Sequence, residues 1–322
     1  MEHCNYPRDQ GETEEKENFT EELYRNEVAV TIVISFAVVP TVFLNALVIF
    51  AVSVKRPLQT NNNILLACMA GTDLLTGLIV QPMAVALEVL KILGASPFCT
   101  LEKIYSVTLA GIGFASIDHL VLISVERYIA IKYSLRYTDI VTRKWLKNGI
   151  LLAWAFAGLV TILETTLTLV DTKTEIFLTS LLVVNAVYTI IGISYIAVIC
   201  YTSAYIFFQT RRHKKRIQHE QVTYEDAKRA RKDSRSANTL AFILLVLILT
   251  NVPSLILMLS SFSDSASIEP NVRSILWKWA VTFSLCKSFL NPIIYCWRVK
   301  KMQRAFFEIL HLRPENTPAG VE

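Results

Sequence analysis

The sequence predicts an all-α membrane protein: a bundle of seven transmembrane helices followed by a short amphipathic helix. Three observations support this fold class. The 322 residues are 53% hydrophobic and only 18% charged, whereas soluble domains carry about 25% charged residues. Seven apolar stretches are long enough to cross a bilayer, which takes about 20 residues. Most of the 32 Lys and Arg residues lie in loops on one side of those stretches.

The seven spans are the apolar runs, taken in chain order. They are Val28 to Val54, Asn63 to Leu90, Ile104 to Tyr133, Trp145 to Val170, Ile176 to Phe208, Ala237 to Phe262 and Ile275 to Trp297. The first span contains no charged residue, and each charge inside the others needs a partner or a function. The chain therefore divides into an acidic N-terminal tail (1–27), a membrane domain (28–297) and a C-terminal amphipathic helix with its tail (298–322).

The loop charges predict the orientation. Loops on one side contain 22 Lys and Arg residues, and loops on the other side contain six. Because basic loops stay in the cytoplasm, the N-terminus is predicted outside and the C-terminus inside. Asn18-Phe19-Thr20 is a glycosylation acceptor on the outer side, so we predict a glycan on Asn18.

The segment after the seventh span has an amphipathic pattern. Its apolar residues recur at spacings of three and four, and they are Val299, Met302, Ala305, Phe306, Ile309 and Leu310. Basic residues lie between them, which predicts a helix on the inner membrane face in contact with lipids. The basic loop from Gln209 to Ser236 is interpreted both as a lipid-facing extension and as a docking surface.

Short motifs occur in five of the spans. They are Asn45 in the first, Met69-Ala70-Gly71-Thr72-Asp73-Leu74-Leu75 in the second, Glu126-Arg127-Tyr128 in the third, Trp154 in the fourth and Asn291-Pro292-Ile293-Ile294-Tyr295 in the seventh. Their order resembles that of the rhodopsin-like (class A) G-protein-coupled receptors. The resemblance implies a plasma-membrane receptor that binds an extracellular ligand. It also implies that outward movement of the sixth helix activates a heterotrimeric G protein on the cytoplasmic face.

One face of the third span carries a functional stripe. At 100° per residue, five positions lie within about 40° of one direction. They are Glu102, Leu109, Gly113, Ser116 and Arg127. Because an arginine in a membrane must face protein or water, this stripe is predicted to face the bundle. Asp118 points the opposite way, and we expect Asp118 and His119 to make polar contacts with a neighbouring helix.

The resemblance also implies a switch at the inner ends of the helices. In the family, the arginine of the triplet pairs with an acid on the sixth span when the receptor is inactive. Asp233, twenty residues before Pro253, stands at that place, so we predict an Arg127–Asp233 pair that opens on activation. The other switch residues by this resemblance are Glu126, Tyr128, Tyr201, Asn251, Asn291, Pro292 and Tyr295.

The predicted polar core departs from the family pattern. In the family, Asp73, Ser116 and two polar residues of the seventh span usually surround a sodium ion; here those two residues are Lys287 and Ser288. A lysine at that depth costs about 2.5 to 3.5 kcal/mol, and a neighbouring carboxylate offsets the cost. We hypothesise an Asp73–Lys287 salt bridge and a sodium-independent receptor; the alternative is that Lys287 faces a polar crevice elsewhere. Asn45 completes this core network.

The candidate ligand pocket follows from the same helical counting. Its residues are Glu88, Glu102, Tyr105, Leu109, Gly113, Asn185, Thr189, Asn251, Ser254, Met258, Trp277 and Lys278. Structural alternatives are anchoring of the span end for Trp277 and Lys278 and hydrogen bonding between helices for Asn185 and Thr189. The outer acids and the acidic tail favour a small cation or a cationic peptide. Aminergic receptors carry an aspartate at the position of Leu109, so a monoamine held there is not expected.

Further departures concern the cysteines and the sixth helix. The outer end of the third span has Glu102 where the family has a cysteine, and the second outer loop contains no cysteine. The usual disulfide is therefore excluded, and Cys4 and Cys99 either pair with each other or stay thiols. Asn251 replaces a usual tryptophan and acts either as a hydrogen-bonded pivot or as a packed polar residue.

Two other functions compete with the receptor. An opsin-like photoreceptor would carry its retinal lysine at Leu285; Lys287 is two residues away, which is 200° of helical rotation. A channel or transporter would need internal repeats or more inward charges. The five His residues show no metal-ligand spacing. We therefore predict no catalytic site, no metal, no cofactor and no nucleic-acid partner.

Overall fold

The computed structural model describes residues 14–93, 98–169, 175–219, 252–253, 256–257, 259, 269–298 and 300–311, and within them the chain is a bundle of long helices. The helices are Glu14–Val54, Asn61–Leu75, Thr76–Val80, Gln81–Leu93, Phe98–Lys132, Tyr137–Ile140, Arg143–Leu169, Glu175–His219, Pro270–Arg298 and Lys300–Ile309, with a 3₁₀ turn at Arg56–Leu58. Asn61 to Leu93 form the second span, in three consecutive parts.

Five described helices are long and apolar enough to cross a membrane, and they correspond to the first five predicted spans. They are Glu21–Val54, Asn61–Leu93, Thr100–Lys132, Arg143–Thr168 and Val183–Gln209. The seventh span is a continuous helix of 29 residues, but its lysines and polar residues lower its hydropathy. Most of the sixth span lies outside the described residues.

The first helix is longer than its apolar stretch. It begins at Glu14 and runs for 41 residues, which at 1.5 Å per residue is about 62 Å, twice the thickness of a bilayer core. The second half of the predicted acidic tail is therefore helical and continues directly into the first span. Hydropathy marks only the apolar part of a helix, whereas this helix begins 14 residues before Val28, where its apolar stretch begins.

A π-helical segment at Thr76–Val80 interrupts the second span. Pro82 follows, and it has no N–H to donate to the carbonyl of Leu78, so regular α-helical pairing cannot continue through this point. A Cβ on Gly77 would lie 2.9 Å from methyl carbons of Thr41 and of Val42. The glycine therefore permits a close approach of the first and second spans at the depth of the polar core.

The third span lies at the centre of the described bundle. It packs against the second, fourth and fifth spans, while the first span packs against the second and seventh. The C-terminal helix Lys300–Ile309 confirms the amphipathic prediction, because Met302, Ala305 and Phe306 are buried in the apolar cluster of the inner half of the bundle. Its basic residues are exposed.

Candidate functional site

Glu126 and Arg127 form a bidentate ion pair at the inner end of the third span. Arg127 Nε donates to Glu126 Oε2 at 2.5 Å, and Arg127 Nη2 donates to Glu126 Oε1 at 2.6 Å. The Tyr137 hydroxyl also donates to Glu126 Oε1, at 2.5 Å. Burial, together with this bond to a carboxylate, raises the pKa of Tyr137 to about 12, so the phenol stays a neutral donor at physiological pH. The carboxylate of Glu126 thus ties the third span to the second inner loop.

Tyr128 joins the inner ends of the third and fifth spans. Lys132 Nζ donates to the Tyr128 hydroxyl at 2.6 Å, and the rings of Tyr201 and Tyr205 lie 5.9 and 4.8 Å from the Tyr128 ring. The Lys132 ammonium is also within cation–π distance of the Tyr133 and Tyr205 rings. Tyr201, predicted as a switch residue, packs against Tyr128 in this structure.

Asp73 is the hub of the polar core. Its two oxygens accept hydrogen bonds from Ser288 Oγ and Asn291 Nδ2, both at 2.8 Å. Asn45 Nδ2 donates to the carbonyl of Ser288 at 2.9 Å and to that of Thr41 at 2.8 Å. The first, second and seventh spans therefore meet at one buried point, directly before the buried Pro292.

Lys287 is buried beside Asp73, but the predicted salt bridge does not form. The two side chains interact electrostatically, and no direct ion pair joins them among the described contacts. Ser288 and Asn291 occupy the carboxylate oxygens instead. Ser116 is buried and makes no hydrogen bond to this network among the described residues. The sodium-independent core therefore stays a prediction.

Gln81 is a core residue that the sequence argument missed. It is fully buried, and its Nε2 donates to Thr41 Oγ1 at 3.2 Å and to the carbonyl of Leu285 at 3.1 Å. It directly follows the π segment and adds a second link between the first, second and seventh spans. A single amide side chain within an apolar run could have predicted this role, since such a group must find hydrogen-bond partners in a membrane.

Five charged side chains join the helices at their outer ends, and we call them the outer charge network. Lys278 Nζ lies 2.9 Å from Glu27 Oε1 and 3.2 Å from Glu88 Oε2. Lys91 Nζ lies 3.2 Å from Glu102 Oε1 and 3.9 Å from Glu88 Oε1. The network connects the first, second, third and seventh spans. Glu88 and Glu102, the two acids that the sequence suggested as contacts for a cationic ligand, are therefore already paired with lysines.

The model of the family described as 7 transmembrane receptor (rhodopsin family) matches residues 44–295. The chain belongs to this family. It is therefore a rhodopsin-family G-protein-coupled receptor, a multi-pass membrane protein, and not an enzyme. The predicted all-α, seven-transmembrane fold class is confirmed.

Relatives of this receptor include alpha-2B adrenergic receptors. That of Talpa europaea is 30% identical over 139 residues, covering 42% of this chain and 33% of the relative. Those of Procavia capensis habessinica and Cavia porcellus are each 33% identical over 135 residues, covering 42% of this chain and 34% and 30% of the relatives. The receptor thus spans about a third of the length of the curated relatives that it matches.

The remaining predicted pocket residues have mixed placements. Tyr105 and Leu109 pack against the apolar cluster of the outer half of the bundle, Gly113 is partly buried, and Trp277 is 45% exposed. Thr189 Oγ1 donates to the carbonyl of Asn185 at 2.8 Å, a bond within one helix rather than between helices. Neighbouring Trp279, not predicted, donates from Nε1 to Asn26 Oδ1 at 3.0 Å.

Asp118 and His119 lie on the opposite face of the third span. The Tyr195 hydroxyl of the fifth span donates to Asp118, which confirms the predicted polar contact with a neighbouring helix. For His119 the prediction was wrong. Its Nδ1 bonds the carbonyl of Ala115 in its own helix at 2.7 Å, and its ring packs edge-on against Trp154 of the fourth span at 5.8 Å.

Several predicted residues lie outside the described part of the receptor. They are Cys4, Asp233, Asn251, Ser254 and Met258, together with the side chains of Asn18, Cys99 and Tyr295. Pro253 lies in a short described helical segment of the sixth span. The Arg127–Asp233 pair, the Asn251 pivot, the glycan and the outer cysteine pairing therefore stay predictions.

Proposed function

We propose that this receptor lies in the plasma membrane with its N-terminus outside, binds an extracellular ligand and activates heterotrimeric G proteins as the sixth span moves outward. The observation that carries the proposal is the inner-face geometry around Arg127. Its guanidinium is held by Glu126 rather than by solvent, and the same carboxylate fixes Tyr137 in the second inner loop. Movement of the arginine is thereby coupled to the loop that a cytoplasmic partner would meet.

Leu135 supplies an anchor for that partner. It lies in the turn between the third span and the short helix of Tyr137, and it is 97% exposed. It stands on the predicted cytoplasmic side, beyond the apolar stretches, where a fully exposed leucine has no lipid to cover it. An isolated large apolar side chain held by a fixed loop suits insertion into a pocket of a protein partner. A single leucine in a loop has no periodicity, so no sequence pattern predicts this role.

The adrenergic part of the relatives' names is not carried over to this receptor. Leu109 stands where the resemblance places the aspartate of aminergic receptors, and in the structure it packs among apolar side chains. Three carboxylates and two ammoniums make up the outer charge network, so its own carboxylates outnumber its ammoniums. This balance supports a ligand that carries a positive group, either a small molecule or a peptide.

Recruitment of G proteins in cells tests the proposal. Leu135→Ala is expected to lower recruitment about tenfold or more, because an anchor residue of an interface is removed. Leu152→Ala is the matched control, since Leu152 is also a highly exposed leucine, at 70%, but lies within the fourth span rather than in the loop. The readout is proximity-based recruitment of each G-protein class at equal surface expression. Equal recruitment by both variants and the parent would contradict the proposed interface.

A further inference from the structure

Glu102 differs from the rest of the outer charge network in its exposure. The side chains of Glu27 and Glu88 are 3% and 9% exposed and that of Lys278 is 19% exposed, whereas that of Lys91 is 12% exposed and that of Glu102 is 48% exposed. Both partners of Lys278 are therefore buried. The partner of Lys91 is the one member of this network that solvent reaches freely.

Lys91 is available for exchange because Glu88 is committed elsewhere. Glu88 Oε2 accepts from Lys278 at 3.2 Å, and Glu88 Oε1 lies 3.9 Å from Lys91, beyond hydrogen-bond length. Among the described residues, Glu102 is thus the one partner of Lys91 at hydrogen-bond distance. An ammonium has three donors, so Lys91 can turn towards a new acceptor without disturbing Lys278.

The charge balance restricts what can enter between these two residues. A simple amine that takes Glu102 leaves the largely buried ammonium of Lys91 without a close counter-ion, which is costly. A simple anion that takes Lys91 leaves Glu102 without its ammonium and adds a negative charge beside two carboxylates, Glu88 and Glu102. A molecule with both charges replaces one internal pair by two pairs with the ligand and leaves the net charge unchanged.

We infer that the Lys91–Glu102 pair is a binding site for a small zwitterion, an ammonium and a carboxylate a few bonds apart, as in an α-amino acid. The carboxylate accepts from Lys91 and the ammonium donates to Glu102. Tyr105 and Leu109 follow Glu102 by three and seven residues, so they lie on the same helical face and belong to an apolar cluster. An aromatic or aliphatic side chain on the ligand suits this lining. The inference rests on the proposed function for its assignment of this end of the bundle as the ligand side.

Binding to the purified full-length receptor in lipid nanodiscs tests the inference. The probes are two matched sets, phenylalanine with phenethylamine and 3-phenylpropionate, and leucine with isoamylamine and 4-methylpentanoate. The readout is the shift of Tm with probe concentration, from which a Kd follows. We expect at least one zwitterion to bind about tenfold or more tightly than its amine and its acid, because each of those lacks one of the two pairs.

Substitutions of Lys91 and Glu102 test whether the zwitterion binds at this pair. Lys91→Met and Glu102→Gln should each weaken zwitterion binding about tenfold, whereas Lys103→Met, which changes an exposed lysine next to Glu102, should not. An amine that binds as tightly as its zwitterion overturns the inference, and so does the absence of zwitterion binding in both sets. Because no G protein takes part, these outcomes are distinct from a failure of the proposed signalling, which the Leu135 experiment reports.

Discussion

Two lysines on the seventh span are held in different ways. They are nine residues apart, about 13.5 Å along the helix axis. Lys278, at the outer end, makes direct ion pairs with Glu27 and Glu88. Lys287, in the core, interacts with Asp73 only through space, while seventh-span donors occupy the carboxylate. The outer lysine therefore positions helices, whereas the core lysine compensates a charge that is itself used to join helices.

The largest expected effect is at Asp73. Asp73→Asn leaves the buried ammonium of Lys287 without its carboxylate and should cost about 3 kcal/mol of stability. Lys287→Met should cost clearly less, because Asp73 keeps the hydrogen bonds from Ser288 and Asn291. The Tm of the purified receptor and its surface level in cells measure both effects. Asp118→Asn is the control, since the described partner of Asp118 is a neutral hydroxyl.

The double variant sharpens this prediction. Asp73→Asn combined with Lys287→Met should be more stable than Asp73→Asn alone, since the uncompensated ammonium has gone. Equal stability of the double variant and Asp73→Asn would show that Lys287 does not depend on the charge of Asp73.

A smaller effect is expected at the outer charge network. Lys278→Met leaves Glu27 and Glu88 facing each other without their shared ammonium, and the partly buried site should lose about 1 to 2 kcal/mol. Lys55→Met is the matched comparison. It breaks a 2.7 Å ion pair with Glu308 in which both side chains are exposed by more than a third, and such pairs contribute about 0 to 1 kcal/mol. Similar Tm losses in the two variants would contradict the role given to Lys278.

The smallest expected effect is the response to sodium. Because Lys287 already places a positive charge beside Asp73, replacing NaCl by N-methylglucamine chloride at equal ionic strength should leave the Tm of the receptor unchanged. Lys287→Asn should gain a dependence on sodium, since it removes the internal cation and places a neutral amide beside Asp73. A sodium-dependent Tm in the parent receptor would refute the internal-cation hypothesis.

The properties that the sequence predicted correctly are those that depend on a single helix. Hydropathy located the described spans, and the spacing of Met302, Ala305 and Phe306 predicted the buried face of the C-terminal helix. The bundle-facing direction of Ser116 and the opposite direction of Asp118 also followed from helical rotation alone. Each of these properties depends only on the hydropathy or the helical repeat within one segment.

The sequence did not predict contacts that depend on the axial position of one helix relative to another. Lys278 was predicted as a pocket residue or as an anchor of the span end, and both stay predictions. Its pairing with Glu27 was not predicted, because Glu27 lay in a segment interpreted as a tail and no sequence pattern shows that the first helix begins at Glu14. The core lysine was expected to form a salt bridge with Asp73, yet Ser288 and Asn291 of the same helix donate to the two carboxylate oxygens. Tyr137 and Leu135 lie in a loop without periodicity, so their roles follow only from the folded turn.

Nucleotide exchange without ligand tests the central claim most directly. The purified receptor and its Asp233→Ala variant are reconstituted in nanodiscs with one heterotrimer of each G-protein class, and GDP release is measured. Release of the predicted Arg127–Asp233 restraint should raise basal exchange in at least one class, and adding Leu135→Ala should return exchange to the level without receptor. Exchange by Asp233→Ala that equals the parent in every class would contradict the account of this chain as a receptor switched at Arg127.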